Sequence, residues 1–325
     1  MSDAVSWRRV RDEALLALER AARAGDRTAA ARRLRDLAEE REFQPEAEAV
    51  WTKLLADRQE EVRRAGVEMA VRCLDADAAG SLLRKMIGDP SPMVRVQVAG
   101  SLADLENPAY REELRALLAD PSSSVRFEAA RGLAALGDAT GIDVLIASLS
   151  EAEVRFRVLG ALAQLGDSRA IPAIRSLFQR LWLPPYERTQ AAGALVKLGD
   201  EEPAGYLLER TRKRGVDRAF AIELCGEVKA RGARARLEEI LTDQTDPCRG
   251  AAARGLGRLG DVSAVPLLLS IVENPKEADD LRLDAAEGYC QLVGRERRAQ
   301  FADLLQTLKS DSAKEEARQL LESYE

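Results

Sequence analysis

A tandem repeat with a period of about 31 residues constrains this chain more than any other feature of its sequence. An arginine that recurs at steps of 29 to 33 residues marks the register, and a valine precedes its first four copies. These arginines are Arg63, Arg95, Arg126, Arg155, Arg188, Arg218, Arg249 and Arg282. Small apolar residues follow at matching offsets, as Ala129 and Ala130 follow Arg126. Such a period indicates supersecondary units that bury their apolar faces only against their neighbours.

Each unit is predicted to contain two helices. In residues 122–149, Val125, Ala129 and Leu133 recur at helical spacing, and a Leu-Gly-Asp sequence at 136–138 ends that helix. A second apolar stripe occupies residues 142–149. No stretch alternates over the length of a strand, so we expect essentially no sheet. Glycines in the middle of the arginine-bearing helices are predicted to let neighbouring helices approach closely; they are Gly100, Gly132, Gly160 and Gly193.

One copy of the repeat resembles a known family. Residues 120–138 read Asp-Pro-Ser-Ser-Ser-Val-Arg-Phe-Glu-Ala-Ala-Arg-Gly-Leu-Ala-Ala-Leu-Gly-Asp, which is similar to a HEAT repeat of the short type found in phycobilin lyases. The resemblance covers roughly residues 45–325. It implies an all-α fold, a right-handed α-solenoid (superhelix) of about nine to ten helix pairs, in which the arginine-bearing helices line the concave face. Residues 1–44 lack the signature and are expected to form an atypical N-terminal cap within the same single domain.

The resemblance also implies a structural role for the recurrent arginine. Each arginine is expected to bridge to an acidic residue in the turn of its own repeat. Examples are Asp89 with Arg95 and Asp120 with Arg126. This reading assigns the arginines to the cohesion of the stack and not to ligand binding.

The composition excludes several kinds of chemistry. The chain has no histidine, which excludes Ser-His-Asp and Cys-His catalysis and histidine-ligated metals. The four cysteines lack metal-site spacing, and a G-x-G-x-x-G match at 255–260 lies inside a repeat helix with no strand before it. We therefore predict a non-enzymatic protein with no cofactor or metal site. No secretory signal or membrane-spanning run is visible, so we expect a cytoplasmic location without membrane insertion.

The predicted binding surface lies on the arginine-bearing helices. The residues one, two and five positions after the arginine are expected to face away from the core. Aromatic and aliphatic side chains with charges beside them there form a predicted groove for a partner protein or peptide. Its residues are Val96, Phe127, Glu128, Arg131, Phe156, Arg157 and Phe220. The alternative is that the helices are rotated and the phenylalanine rings belong to the core.

Two irregular segments are secondary candidates. Residues 178–186 are aromatic and proline-rich, and Trp182 and Tyr186 there belong either to a local core or to an exposed anchor patch. Residues 210–236 hold nine basic residues, among them Arg212, Lys213 and Arg214, and three acids. That cluster is either a solvated face or a docking site for an acidic partner or a phosphate.

Together these observations favour a non-catalytic scaffold or adaptor that binds a protein in the concave groove. A lyase-like or chaperone-like protein for a bilin or other tetrapyrrole is one alternative. Nucleic-acid or phosphate binding through residues 210–236 is another, although the net charge of −6 argues against a dedicated nucleic-acid binder because it repels the phosphate backbone. Self-association is also open.

Overall fold

The computed structural model describes residues 27, 29, 30, 32, 48–293 and 307–323. Over these residues the regular structure is entirely helical and contains no strand, so the predicted all-α solenoid is confirmed. The predicted N-terminal cap, residues 1–44, lies outside the described residues except at four positions.

The chain divides into two compact units, residues 1–150 and 151–325. The first contains α1 (Glu48–Leu55), α2 (Glu60–Cys73), α3 (Ala76–Met86), α4 (Pro92–Asp104), α5 (Arg111–Leu117), α6 (Ser123–Ala135) and α7 (Ile142–Ser148). The second contains α8 (Arg155–Leu165), α9 (Ile171–Phe178), α10 (Pro185–Lys197), α11 (Ala204–Arg212), α12 (Arg218–Glu227), α13 (Ala233–Thr242), α14 (Arg249–Leu259), α15 (Val265–Val272), α16 (Asp279–Leu292) and α17 (Asp311–Ser323).

The recurrent arginine lies near the start of each even-numbered helix, and we call these the arginine helices. In the first unit α2, α4 and α6 pack side by side, as do α8, α10, α12, α14 and α16 in the second. Within each unit, an odd-numbered helix packs against the arginine helix that follows it in the chain, for example α13 against α14 in the second unit. The predicted Leu-Gly-Asp stops end α8 and α14, where Gly166 and Gly260 adopt φ values of +72° and +79°.

The recurrent arginines join each repeat to the next one. The Arg95 guanidinium donates to the Asp120 carboxylate at 2.7 and 2.9 Å, and to the backbone carbonyl of Asp89 at 2.8 Å. The carboxylate of Asp89 is held instead by Arg63 of the preceding repeat, at 2.7 and 2.8 Å. The expected pairing of Asp89 with Arg95 within one repeat is therefore wrong for the carboxylate. The aspartate of the same turn contributes its carbonyl, and the aspartate of the next repeat contributes the charge.

The expected pair of Asp120 with Arg126 is corrected in the same way, since Arg126 donates to the Asp120 carbonyl at 2.8 Å. The second unit repeats the arrangement, with Arg218 on Asp246 and Arg249 on Glu277. Hydrogen bonding from Arg95 lowers the pKa of Asp120 against the opposing effect of burial. These sheltered bonds fix the spacing of successive repeats at their turns.

Glycines set the distance between some of the arginine helices. A Cβ atom on Gly226 of α12 would lie 2.0 Å from the carbonyl oxygen of Gly255 in α14. A Cβ atom on Gly132 would lie 2.7 Å from the Cβ of Ala103, so close approach at that predicted position is confirmed. At Gly100 and Gly160 the nearest atom would be 3.7 Å away, which is an ordinary contact, so those two predictions are wrong.

Candidate functional site

The first-unit part of the predicted groove is mostly buried. Phe127 is only 4% exposed and Glu128 is also buried, while Val96 is half-buried and packs on the core of that unit. The expectation that these side chains face away from the core is therefore wrong for Phe127 and Glu128. The reason is the rotation of α6, which turns both side chains into the stack. The equivalent residues Thr189 and Leu283 in the second unit are buried too.

Arg131 belongs to an ion-pair network within the first unit. Its guanidinium donates to Glu128 at 2.8 Å and to Asp104 at 2.7 Å, and to the carbonyl of Gly100 at 3.3 Å. Asp104 and Gly100 lie on α4, whereas Glu128 and Arg131 lie on α6. The charges predicted to contact a partner therefore contact each other and join two neighbouring helices.

In the second unit, three aromatic rings form a continuous row across three arginine helices. Phe156 on α8 is 43% exposed, and its ring centroid lies 5.7 Å from that of Phe220 on α12. The Phe220 ring lies 5.9 Å from that of Tyr186, at the start of α10. These spacings are typical of interacting aromatic pairs. We call Phe156, Tyr186 and Phe220 the aromatic row. The neighbouring predicted residue Arg157 is exposed.

The loop between α9 and α10 presents the most exposed large apolar side chains of the described residues. Trp182 is 94% exposed and Leu181 is 88% exposed, whereas the adjacent Leu183 is buried. Phe178 turns inward, where its ring packs edge-on against Tyr206 with centroids 5.2 Å apart. The local-core reading is therefore wrong for Trp182. Phe178 and Leu183 belong to a local core, while Leu181 and Trp182 project from it.

An open cavity of about 430 Å³ lies beside Trp182. It is lined by Arg155, Arg180, Leu181, Trp182, Leu183 and Pro184. Arg188 fixes the loop that forms it, by donating to the backbone carbonyls of Phe178 at 2.9 Å and Leu181 at 3.1 Å. The loop therefore has an anchored backbone that carries exposed side chains.

A second loop, between α11 and α12, lies next to the first. The Tyr186 hydroxyl donates to the carbonyl of Val216 at 2.5 Å, and the Val216 side chain is itself exposed. We call residues 180–184 and 212–216 the rim. The contact brings together two candidate segments that the sequence separates by about 30 residues.

Most of the basic residues at 210–236 are paired with carboxylates. Arg210 bonds the fully buried Asp217, and the other partners include several acids outside that window. The pairs are Arg212 and Lys213 with Glu209, Arg218 with Asp246, Arg234 with Glu238 and Asp261, and Arg236 with Glu239. Arg214 is exposed and has no carboxylate partner among the described residues. The net charge counted along the sequence therefore overstates the basic character of this segment.

The sequence analysis did not identify Arg180 or Val216 as candidate binding residues. The signal available for Val216 was an apolar residue within the otherwise polar stretch 209–218. In the part of the chain that the structure describes, no group of three or more cysteine and carboxylate side chains is placed to hold a metal ion. Within the same residues, no helix combines the length and the apolar character needed to cross a membrane.

Comparisons with known proteins identify the repeat. A family model described as HEAT repeats matches residues 48–123, 80–153, 111–182 and 213–290, which together span more than half of the chain. No curated protein sequence is significantly similar to this chain.

Several solved structures are similar to this chain at low sequence identity. The Kap95:Nup1 complex contains a chain with 13% identity and a TM-score of 0.52, in an alignment covering 98% of this chain and 50% of that one. The complex of CpcE and CpcF of phycocyanin lyase from Nostoc sp. PCC7120 gives 19% identity and a TM-score of 0.47, over 76% of this chain and 94% of that one. Human deoxyhypusine hydroxylase gives 19% identity and a TM-score of 0.32, over 75% and 95%. The resemblance of residues 120–138 to a HEAT repeat is confirmed by the family match. This chain belongs to the family of HEAT-repeat proteins.

Proposed function

We propose that this protein is a non-catalytic scaffold that binds a partner protein through the rim and the aromatic row of its second unit. The observation that carries the proposal is the exposure of Trp182 and Leu181 on an anchored loop. Exposed apolar side chains of this size, grouped with aromatic rings, are typical of surfaces that bind another molecule.

The energetic reason is the apolar area that a partner would cover. A tryptophan side chain buries about 200 Å², which at about 25 cal/mol per Å² corresponds to about 5 kcal/mol before the costs of association. The half-exposed rings of Phe156 and Tyr186 add apolar area in the same unit. A single anchor of this kind, with a surrounding apolar surface, is typical of an interface centre.

This proposal moves the binding surface away from part of the predicted groove. Phe127, Glu128 and Arg131 are committed to packing and ion pairs within the first unit. Phe156, Arg157 and Phe220 remain candidates in the second unit. Trp182, Tyr186 and the loop with Arg212, Lys213 and Arg214 become part of the main surface and are no longer secondary patches.

The comparisons support protein binding as the kind of function. Kap95, whose fold is shared with this chain, is found in complex with Nup1. The nucleic-acid or phosphate alternative has less support, because carboxylates pair with most basic residues at 210–236. The tetrapyrrole alternative rests on the family resemblance alone.

The test is selection from a phage-displayed library of random twelve-residue peptides on three immobilised proteins. The first is the wild type, and the second is the variant Trp182→Ser/Phe156→Ser. The third is the control Met93→Ser/Val262→Ser, which removes two exposed apolar side chains from other surfaces. The proposal predicts that the wild type and the control select the same peptides and that the Trp182/Phe156 variant loses them.

Equal enrichment on all three proteins would contradict the proposal. Sedimentation of the free protein tests self-association. If the protein is an oligomer that dissociates only in the Trp182→Ser/Phe156→Ser variant, the partner bound at this surface is a second copy of the chain and not another protein.

A further inference from the structure

The charges on the rim differ from the net charge of the whole chain. The protein carries a formal charge of −6, yet the side chains that project from the two rim loops are mainly cationic. Arg180 lines the cavity, and Arg212, Lys213 and Arg214 follow one another in the second loop. This local excess of cations beside exposed apolar side chains is the observation to be explained.

Two carboxylates that closely follow the rim loops in the chain are already paired. Glu187 accepts from the buried Arg155 at 2.6 Å. Asp217 is fully buried, where it accepts from the Thr189 hydroxyl at 2.8 Å and pairs with Arg210. Hydrogen bonding from Arg210 and Thr189 lowers the pKa of Asp217 against burial, so this carboxylate stays ionised and committed to its partners.

The exposed cations, in contrast, have few partners. Arg180 and Arg214 pair with no carboxylate among the residues that the structure describes. Arg212 and Lys213 share the single carboxylate of Glu209, at 3.9 and 3.4 Å. The exposed acids Glu151 and Glu153, which precede α8, are not among the residues that line the cavity.

We propose that the segment bound at the rim is acidic and carries a bulky apolar side chain. The apolar side chain would enter the cavity against Trp182 and Leu183. Aspartate or glutamate side chains would bond Arg180 and the cations of residues 212–214. Arginine binds carboxylates through two parallel N–H donors, and such charge-assisted bonds give orientation as well as affinity. Complementary charge also raises the rate of association and makes it sensitive to salt.

This inference rests on the proposed function, and two pairs of variants separate them. Arg180→Glu/Arg214→Glu reverses the unpaired charges while leaving the apolar anchors in place. The control is Arg231→Glu, because Arg231 is exposed and lies in the turn after the C-terminal end of α12, away from the rim at its N-terminal end. Neither Arg180 nor Arg214 makes an ion pair within the described residues, so these replacements are expected to leave the circular dichroism and the melting temperature unchanged.

The probe is a fluorescein-labelled copy of the most enriched peptide from the library, titrated by fluorescence anisotropy. We expect the selected peptides to be enriched in aspartate and glutamate. We also expect affinity to fall on the order of tenfold or more in Arg180→Glu/Arg214→Glu, to stay within about twofold in Arg231→Glu, and to weaken as salt rises.

Selected peptides that are neutral or basic, or equal affinity in the two charge variants, would overturn the acidic-partner inference. If those same peptides were still lost in Trp182→Ser/Phe156→Ser, the proposed function would stand without it. Peptides that bind the Trp182/Phe156 variant as tightly as the wild type would overturn the proposed function itself.

Discussion

Replacing Gly226 by alanine tests how closely the arginine helices of the second unit pack. The added Cβ would lie 2.0 Å from the carbonyl oxygen of Gly255 and 2.6 Å from its carbonyl carbon. Ordinary contact begins at 3.4 Å, so α12 and α14 would have to separate by about 1.4 Å. Both atoms belong to the backbone of a helix, so no side-chain rotation relieves the clash.

The magnitude follows from two opposing effects. Overpacking of this kind costs about 1–3 kcal/mol or more, whereas alanine gains about 1 kcal/mol over glycine inside a helix. Because the clash is with helix backbone, the cost should reach about 3 kcal/mol, and we therefore expect Gly226→Ala to lower the free energy of unfolding by about 2 kcal/mol. The matched control is Gly205→Ala in α11, where a Cβ would meet nothing within 4 Å. That variant gains the helix propensity without a clash, so it should be more stable than wild type by about 0.5–1 kcal/mol.

Thermal unfolding followed by circular dichroism at 222 nm distinguishes the two variants. At about 2–4 °C per kcal/mol for a unit of this size, Gly226→Ala should melt about 4–8 °C below wild type and Gly205→Ala slightly above it. Equal melting temperatures for the two variants would refute the close approach of α12 and α14.

Three further predictions concern the ion pairs, the buried ring and a thiol. Asp120→Asn should lower the free energy of unfolding by about 1–3 kcal/mol, measured by urea denaturation, because it leaves the Arg95 guanidinium without its carboxylate. The pKa of Asp120 is lowered in the folded state, so the stabilisation from its carboxylate is complete above the unfolded pKa of about 3.9 and is lost as pH falls further. The free energy of unfolding of the wild type should therefore fall more than that of Asp120→Asn between pH 5 and 3. Parallel curves of this free energy against pH would contradict the prediction. Phe127→Ala should cost about 3–5 kcal/mol and Phe156→Ala about 1 kcal/mol or less, because only Phe127 is buried; similar melting temperatures would restore the exposed-groove reading. Burial raises the pKa of Cys225 to about 12, so iodoacetamide at pH 8 should leave this thiol unmodified in the native protein, as read by peptide mass spectrometry, and rapid alkylation would show that it is accessible.

The repeat pattern was sufficient to predict the fold. A period near 31 residues and helical spacing of apolar residues determine that each unit holds two helices, and the Leu-Gly-Asp sequence locates where helices such as α8 end. These are local properties of the chain, so they can be read without knowledge of its neighbours. The pairing of Arg95 with Asp120 is different, because both that carboxylate and Asp89 lie within one repeat length of the arginine. Only the packing of adjacent repeats selects between them.

The candidate site was predicted in part. Phe156 and Phe127 occupy equivalent positions in the repeat, yet one is half-exposed and the other is buried. A small rotation of a helix decides between these outcomes, and periodicity does not resolve it. The adjacency of Tyr186 and Val216 depends on how two loops meet, which is a tertiary property. Charge counted along residues 210–236 also omitted Asp246 and Asp261, which reach into the cluster from later turns.

The most direct test of the account is the affinity of a peptide selected on the wild-type protein for the Trp182→Ser/Phe156→Ser variant, beside the Met93→Ser/Val262→Ser control. Titration by fluorescence anisotropy should show wild-type affinity in the control and a loss of at least tenfold in the Trp182/Phe156 variant, since one large aromatic anchor is worth more than 1.4 kcal/mol of binding free energy. Equal affinities in the two variants would contradict the claim that the rim and the aromatic row form the protein-binding surface.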